Sequence, residues 1–278
     1  IAIPEVVEDP SAARRMHVKR RTKKKLTRWL LYAALISVVV ALGFVADWAA
    51  IRQNFLDPDA FKAMWPEIVT VGAKNTVIYT VVSFIGGLAL ALVLALMKLS
   101  PVGPYRWLAT TYIEFFRGLP ALLVIIGFVL VVPIAFNYRF PAGAAGGAVA
   151  ALVVVSAAYM AETLRAGIQA VPKGQEEAAR SLGMSSARTM FSITIPQAIR
   201  VVIPPLTNEF VLLLKDTSLI TAVGAAAGSR ELLAVARDGL VETASGTPLL
   251  MAAVMYLVIT LPLTQLVAWL ERRQGKSR

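Results

Sequence analysis

Apolar residues along this chain fall into long blocks rather than the alternation of a half-buried strand or the one-sided stripe of a soluble helix. WLLYAALISVVVALGFVA at 29–46 is the first, followed by about 71–97, 119–135, 143–163, 202–224 and 248–270. Each reaches the length of about 17 residues or more that an α-helix needs to cross a hydrocarbon core. Six crossings predict an all-α integral membrane protein with both termini on one side. The third block is the shortest. Gly127 sits at its middle and Pro133 and Pro141 bracket its far end, so a short, tilted or irregular segment covered by other helices is expected there. The fourth opens on small residues, with Gly143 and Gly147 four apart, a spacing that lets a neighbouring helix of the same chain approach closely.

Charge orients these blocks. Arg14, Arg15, Lys19, Arg20, Arg21, Lys23, Lys24, Lys25 and Arg28 precede the first one. With the termini placed in the cytoplasm, the inner segments carry 21 Lys and Arg against six outside, at Arg52, Lys62, Lys74, Arg139, Arg230 and Arg237, with Lys215 inside a span. That asymmetry predicts cytoplasmic N and C termini. The first block exceeds a signal-peptide core and lacks a clean small-x-small site before Asp47, so it reads as a retained span. The expected organisation is a basic cytoplasmic tail over 1–28, poorly ordered in its first 13 residues, an added transmembrane helix at 29–47, a helical domain over 66–272 and a short cytoplasmic tail at 273–278.

Composition excludes several functions. The chain is 57% hydrophobic with mean hydropathy +0.67 and only 16% charged, too apolar for an ordinary soluble domain. The net charge of +11 comes without a basic domain interleaved with aromatic residues, so nucleic acid is not an expected partner. No cysteine is present, which removes disulfides and thiolate metal sites, and His17 is the only histidine, without partner ligands for a metal. GKS at 275–277 lacks the first glycine of a phosphate loop, since position 270 is Leu270.

One polar segment stands out between two apolar blocks, KGQEEAARSLGMSSARTMFSITIP at 173–196. Gln175 to Leu182 are good helix formers, and Gly183 is placed to end that helix in a left-handed cap. Ser185 or Ser186 can start a second short helix running to about Ser192, which Pro196 is expected to stop. Ala178 and Ala179 make a flat, small face, while Glu176, Glu177 and Arg180 stay available for charged contacts. So little apolar surface cannot hold a short helix alone, and docking into another surface is predicted.

The spacing Glu177, Ala178, Ala179, three residues, Gly183, nine residues, Ile193, one residue, Ile195, Pro196 resembles the EAA loop of bacterial ABC-importer permeases, with Ile195 in place of the usual Leu. FFRGLP at 115–120 looks like the FRGTP motif of polar amino acid permeases, with Leu119 for Thr, and it singles out Glu114, Arg117, Gly118 and Pro120. AETLRAGIQAVPKGQ at 161–175 and PPLTNEFVLLLKDTSL at 204–219 are similar to signature stretches of the same subfamily. The resemblance covers about 66–272 and leaves the N-terminal tail and first span outside it.

It implies a type I (MetI-like) permease bundle of about six transmembrane helices in the plasma membrane of a bacterium. A second permease subunit, copy or paralogue, would complete the path. Gln175, Glu176, Glu177, Ala178, Ala179, Arg180, Gly183 and Pro196 would form the loop that docks on one of two cytoplasmic ATPase subunits. Those subunits would use ATP and Mg, while this chain binds no cofactor and is not an enzyme. An external amino acid-binding protein would deliver substrate to residues 48–68 and 225–247, and alternating access would carry it across.

Asn208, Glu209, Lys215, Asp216 and Ser218 lie in a segment that should cross hydrocarbon, where ionised groups are expensive unless paired or wet. Glu209 and Asp216 are seven apart and share one helix face; Lys215 points about 100° away. Such a face could meet the ammonium and carboxylate of an amino acid. The alternative for Lys215 and Asp216 is pairing with neighbouring helices. Glu114 and Arg117 are expected at the inner membrane edge, with Gly118 and Pro120 shaping the start of the third span. Glutamate or glutamine is the expected substrate and a basic amino acid the alternative. An ion-coupled secondary transporter would have no use for the docking loop.

Overall fold

The computed structural model describes the backbone of residues 10–275 and the side chains of Lys25 and residues 27–273. The first nine residues of the expected N-terminal tail, the last three of the C-terminal tail and the His17 side chain lie outside these. The chain divides into two compact units, 1–53 and 54–278.

In the first unit, α1 (Pro10–Val45) is one helix of 36 residues. It opens on a proline, which has no N–H to lose at a helix start, and helix-favouring alanines follow, so residues 10–13 are helical where a disordered tail is expected. None of its apolar stretch, Thr27–Val45, is buried. Asp47 Oδ1 accepts from Ala50 N at 2.9 Å and so caps α2 (Trp48–Phe55), while Trp48 donates back to the Gly43 carbonyl at 2.7 Å.

The second unit begins with α3 (Pro58–Glu67), capped by Asp57, whose carboxylate accepts from Asp59 N. A π-helical segment at 68–73 leads into α4 (Lys74–Leu99). Helix α5 (Gly103–Gly118) then meets the run α6 (Ala121–Ile126), a π segment at 127–131 and α7 (Val132–Phe136) at an angle of 105°. Helix α8 (Ala144–Gln169) descends to a hairpin of α9 (Lys173–Ser181) and α10 (Ser186–Thr189). A π segment at 190–194 and α11 (Ile195–Asp216) follow, then 3-10 turns over 217–223 and 227–229, α12 (Leu232–Thr243) and α13 (Thr247–Gly275). Among the described residues, five helical segments are long and apolar enough to span, or six if the bent α5–α7 run is one span.

Helix α8 is the centre of the bundle, and small residues explain how. Methyl groups built on Gly86 and Gly87 of α4 would press on Val153 and Ser156 of α8, and one on Gly167 would strike Val202 of α11, so these helices meet nearly backbone to backbone. Ala91, Ile113, Ile125, Leu152, Met160, Leu213 and Ile220 fill the core around them. Gly147 faces Val129 and Phe140, the intramolecular packing that its sequence suggests. A second core gathers Met64, Ile68, Leu232, Val235 and Met251.

Two expectations change. Residues 103–118 are more than a connection: Ala109 and Ile113 are fully buried, and Tyr112 donates to the Val154 carbonyl of α8 at 2.9 Å, so α5 packs into the bundle. Nor does Pro196 stop a helix. The carbonyl four residues before a proline has no N–H to accept and is crowded by the ring; here that carbonyl belongs to Ser192, inside a π segment, where the widened turn relieves the clash and the helix continues. Pro133 stands in the same relation to Val129 and the π segment at 127–131.

The turns between α11 and α12 are tied down. Asn75 of α4 donates to the carbonyls of Gly228 and Arg230 at 3.0 and 2.9 Å, and Tyr79 to that of Ser229 at 2.8 Å. Glu231 is fully buried at the start of α12. One of its oxygens accepts from Thr221 and Ala234 N, the other from Leu233 N and Tyr256. Thr76 Oγ1 accepts the N–H of Leu232 at 3.0 Å. Burial pushes the Glu231 carboxyl above its usual range, and its four hydrogen-bond donors pull part of the way back.

Candidate functional site

The hairpin at 173–196 is ordered by its own backbone. Gly183 has φ +83°, the left-handed conformation its position predicts, and its N–H donates to the Arg180 carbonyl at 3.0 Å. Met184 N donates to the Ala179 carbonyl at 3.1 Å, which completes a Schellman closure of α9. Ser185 then caps α10 by accepting from Arg188 N. Ala179 turns inward and is buried. Gln175, Glu176, Glu177, Ala178 and Arg180 are exposed, and Leu182 is 85% exposed at the tip. A rigid turn thus presents carboxylates and an apolar knob that none of the described residues covers.

Above the hairpin, ionic contacts link α8 to α4. Glu162 pairs with Lys98 in the last turn of α4 and with Arg165 at 2.8 Å, and Arg165 reaches on to Gln169, the final residue of α8. These side chains are largely buried, so the contacts are screened less than a surface pair. They fix the end of α4 to the stretch of α8 that carries the hairpin.

The break between α5 and α6 borders a cavity of about 260 Å³. Leu119 and Ala121 line it from the break, Ser156 and Tyr159 from α8, and Glu209 and Asp216 from α11. Gly118 ends α5, Leu119 is extended, and Pro120 starts the next run with ψ 130°, so this short sequence makes the sharp bend that opens the space. The two carboxylates are on one face because seven residues are close to two turns. Neither forms an ion pair with a described residue.

Arg117 stands at the edge, its guanidinium over the Tyr159 ring, and its charge reaches Glu209. Tyr159 lies ten residues before the end of α8, about 15 Å along the helix, so Arg117 meets α8 near its middle. Glu114, one turn earlier, is exposed.

The other sequence candidates separate from this cavity. Lys215 and Asn208 are exposed on other faces of α11, and the Ser218 hydroxyl donates to the Lys215 carbonyl at 2.7 Å. Pairing of Lys215 or Asp216 with a neighbouring helix does not occur among the described residues. Ser156 and Tyr159 enter the site instead. Their signal is faint in the sequence: two polar groups three apart, on one face of an otherwise small and apolar helix. No cluster of three or more metal-ligating side chains occurs among the described residues.

The family described as binding-protein-dependent transport system inner membrane component matches residues 87–276. The probable glutamine ABC transporter permease protein GlnM of Bacillus subtilis is 37% identical over 206 residues, 74% of this chain and 93% of that protein. The L-cystine transport system permease protein TcyB of the same organism is 39% identical over 187 residues, 66% of this chain and 73% of that one. Among solved structures, an amino acid ABC transporter crystallised with histidines superposes with a TM-score of 0.69 at 36% identity, over 78% of this chain and 98% of its own. An all-α bundle of spanning helices around α8, with a capped hairpin between two of them, accords with these matches. The chain belongs to the family of inner membrane components of binding-protein-dependent transport systems, ABC transporter permeases with the type I (MetI-like) fold.

Proposed function

We propose that this chain is the membrane-spanning permease of an ATP-driven importer of polar amino acids. The observation that carries the reading is the hairpin at 173–196, whose cap bonds make it rigid while Glu176, Glu177, Arg180 and Leu182 stay uncovered. A rigid polar knob between two spans fits a cleft on a cytoplasmic ATPase subunit, two of which would supply ATP and Mg chemistry from outside this chain. A second permease, copy or paralogue, would close the path, and an external amino acid-binding protein would load it. The charge asymmetry of the loops supports a multi-pass arrangement in the cytoplasmic membrane of a bacterium, with both termini inside.

Glu209 and Asp216 would accept the ammonium of a zwitterion, and Arg117 would meet its carboxylate. The glutamine relative supports glutamine or glutamate as cargo. A basic amino acid is the second reading, favoured by two carboxylates in the cavity against one guanidinium at its edge, and the solved relative with histidines is in line with it. The test is ATP hydrolysis by the permease reconstituted with its ATPase and binding protein, each polar amino acid added in turn, for wild type and Glu177→Lys. Stimulation by one amino acid, lost in the variant, is expected. An assembled complex that responds to no amino acid would overturn the reading.

A further inference from the structure

We propose that the basic half of α1 is a binding surface for anionic phospholipid headgroups. From Pro10 to Ala46 the sequence holds nine Lys and Arg and no Asp or Glu. These cations exceed what orientation requires, because the other inner segments already carry twelve against six outside. They also lie outside residues 87–276, the part shared with the transport family.

Geometry places the charge at a membrane surface. Helix α1 has 36 residues, about 54 Å of length, against about 30 Å of hydrocarbon, and its spanning stretch is Thr27–Val45. Residues 10–26 therefore continue the helix beyond the apolar layer. Trp29 and Tyr32, with ring centres 6.2 Å apart, are the amphipathic rings that settle at headgroup level. Lys23, Lys24, Lys25 and Arg28 fall within about 9 Å of Trp29 along the axis. At 100° per residue the nine cations are spread round the whole helix, with no apolar stripe. Whichever way the segment leans, it offers cations to the leaflet. Attraction is then by charge alone, without insertion of an apolar face, and must fall with salt.

The cysteine-free chain makes the test direct. The full-length permease carrying only Ala13→Cys, spin-labelled there, is placed in nanodiscs of phosphatidylcholine or of an equimolar mixture of phosphatidylcholine and phosphatidylglycerol. The readout is exposure of the label to a water-soluble nickel chelate. Exposure should fall in the anionic discs, recover at about 1 M salt, where the screening length is about 3 Å, and recover without salt when Lys23, Lys24 and Lys25 are all changed to Gln. Equal exposure in both discs would overturn the proposal. So would a fall that appears only on adding the ATPase subunits or RNA, which would make a protein or a nucleic acid the partner. No nucleotide or amino acid is needed, so either result leaves the importer reading standing.

Discussion

The guanidinium carbon of Arg117 lies 5.5 Å from the centre of the Tyr159 ring, one residue in the last turn of α5 and the other in the middle of α8. The Tyr159 hydroxyl also points to the Arg117 carbonyl, at 3.5 Å. A cation is thereby held at the edge of the space that Glu209 and Asp216 share. Opposite charges on one small cavity suit a ligand carrying both signs.

Glu209→Gln should lower amino acid uptake by roughly tenfold or more, the order expected when a charge-assisted hydrogen bond of about 1.5–3 kcal/mol is lost. Assembly and basal ATP hydrolysis should stay at the wild-type level. Uptake in proteoliposomes, with hydrolysis measured in parallel, checks both, and unchanged uptake kinetics would remove Glu209 from the path.

Glu162→Gln leaves Lys98 and Arg165 facing each other without their shared carboxylate. For a pair this buried the cost should be about 1–3 kcal/mol, below the range for a fully buried pair because water still reaches these side chains. The double change Lys98→Gln with Glu162→Gln should recover part of it. Thermal unfolding of the four members of that cycle measures the coupling, and simple additivity would show that the pair contributes nothing.

Gly183→Ala forces a Cβ into the left-handed region, at a cost of about 1–2 kcal/mol confined to the hairpin. Global stability should hardly move, because the added Cβ would meet no other side chain or backbone within 4 Å and the strain stays in the turn. Ligand-stimulated ATP hydrolysis should fall instead. A variant that keeps full stimulation would mean that the Schellman turn is not needed for coupling.

Glu231 supplies a dependence on pH with a defined sign. Its folded carboxyl titrates above the unfolded value of about 4.3, so between the two values the folded state keeps a proton that the unfolded state has lost. This contribution is greatest below the unfolded value and is lost as pH rises through the folded one. As pH rises from about 4, the wild-type unfolding temperature should decline relative to that of Glu231→Gln. Parallel profiles would show that the carboxyl does not titrate differently in the two states.

Much of this was legible beforehand because lipid is a demanding solvent. Spanning helices must be long and apolar, so six blocks in the sequence correspond to five spanning segments and a bent pair. The capped hairpin was legible too, since Gly183 and Ser185 act through local backbone geometry. Helix α5 was not: its apolar positions, Ala109 and Ile113 among them, are interleaved with Arg106, Glu114 and Arg117, and only tertiary contact with α8 shows which face is buried. The cavity was half legible. Glu209 and Asp216 announce themselves by being charged in hydrocarbon, whereas the place of Arg117 over Tyr159 depends on how α5 packs against α8, which no local pattern encodes.

The π-helical turn before Pro196 has a consequence for aim. Such a turn takes up one more residue than an α-helical one, so everything after it is rotated by about 100° relative to an uninterrupted continuation of α10. Glu209 and Asp216 come thirteen and twenty residues after Pro196 in that same helix. The proline that closes the hairpin therefore sets the compass bearing of both carboxylates: restoring regular winding at 190–194 would swing them off the cavity together with Leu212 and Leu213.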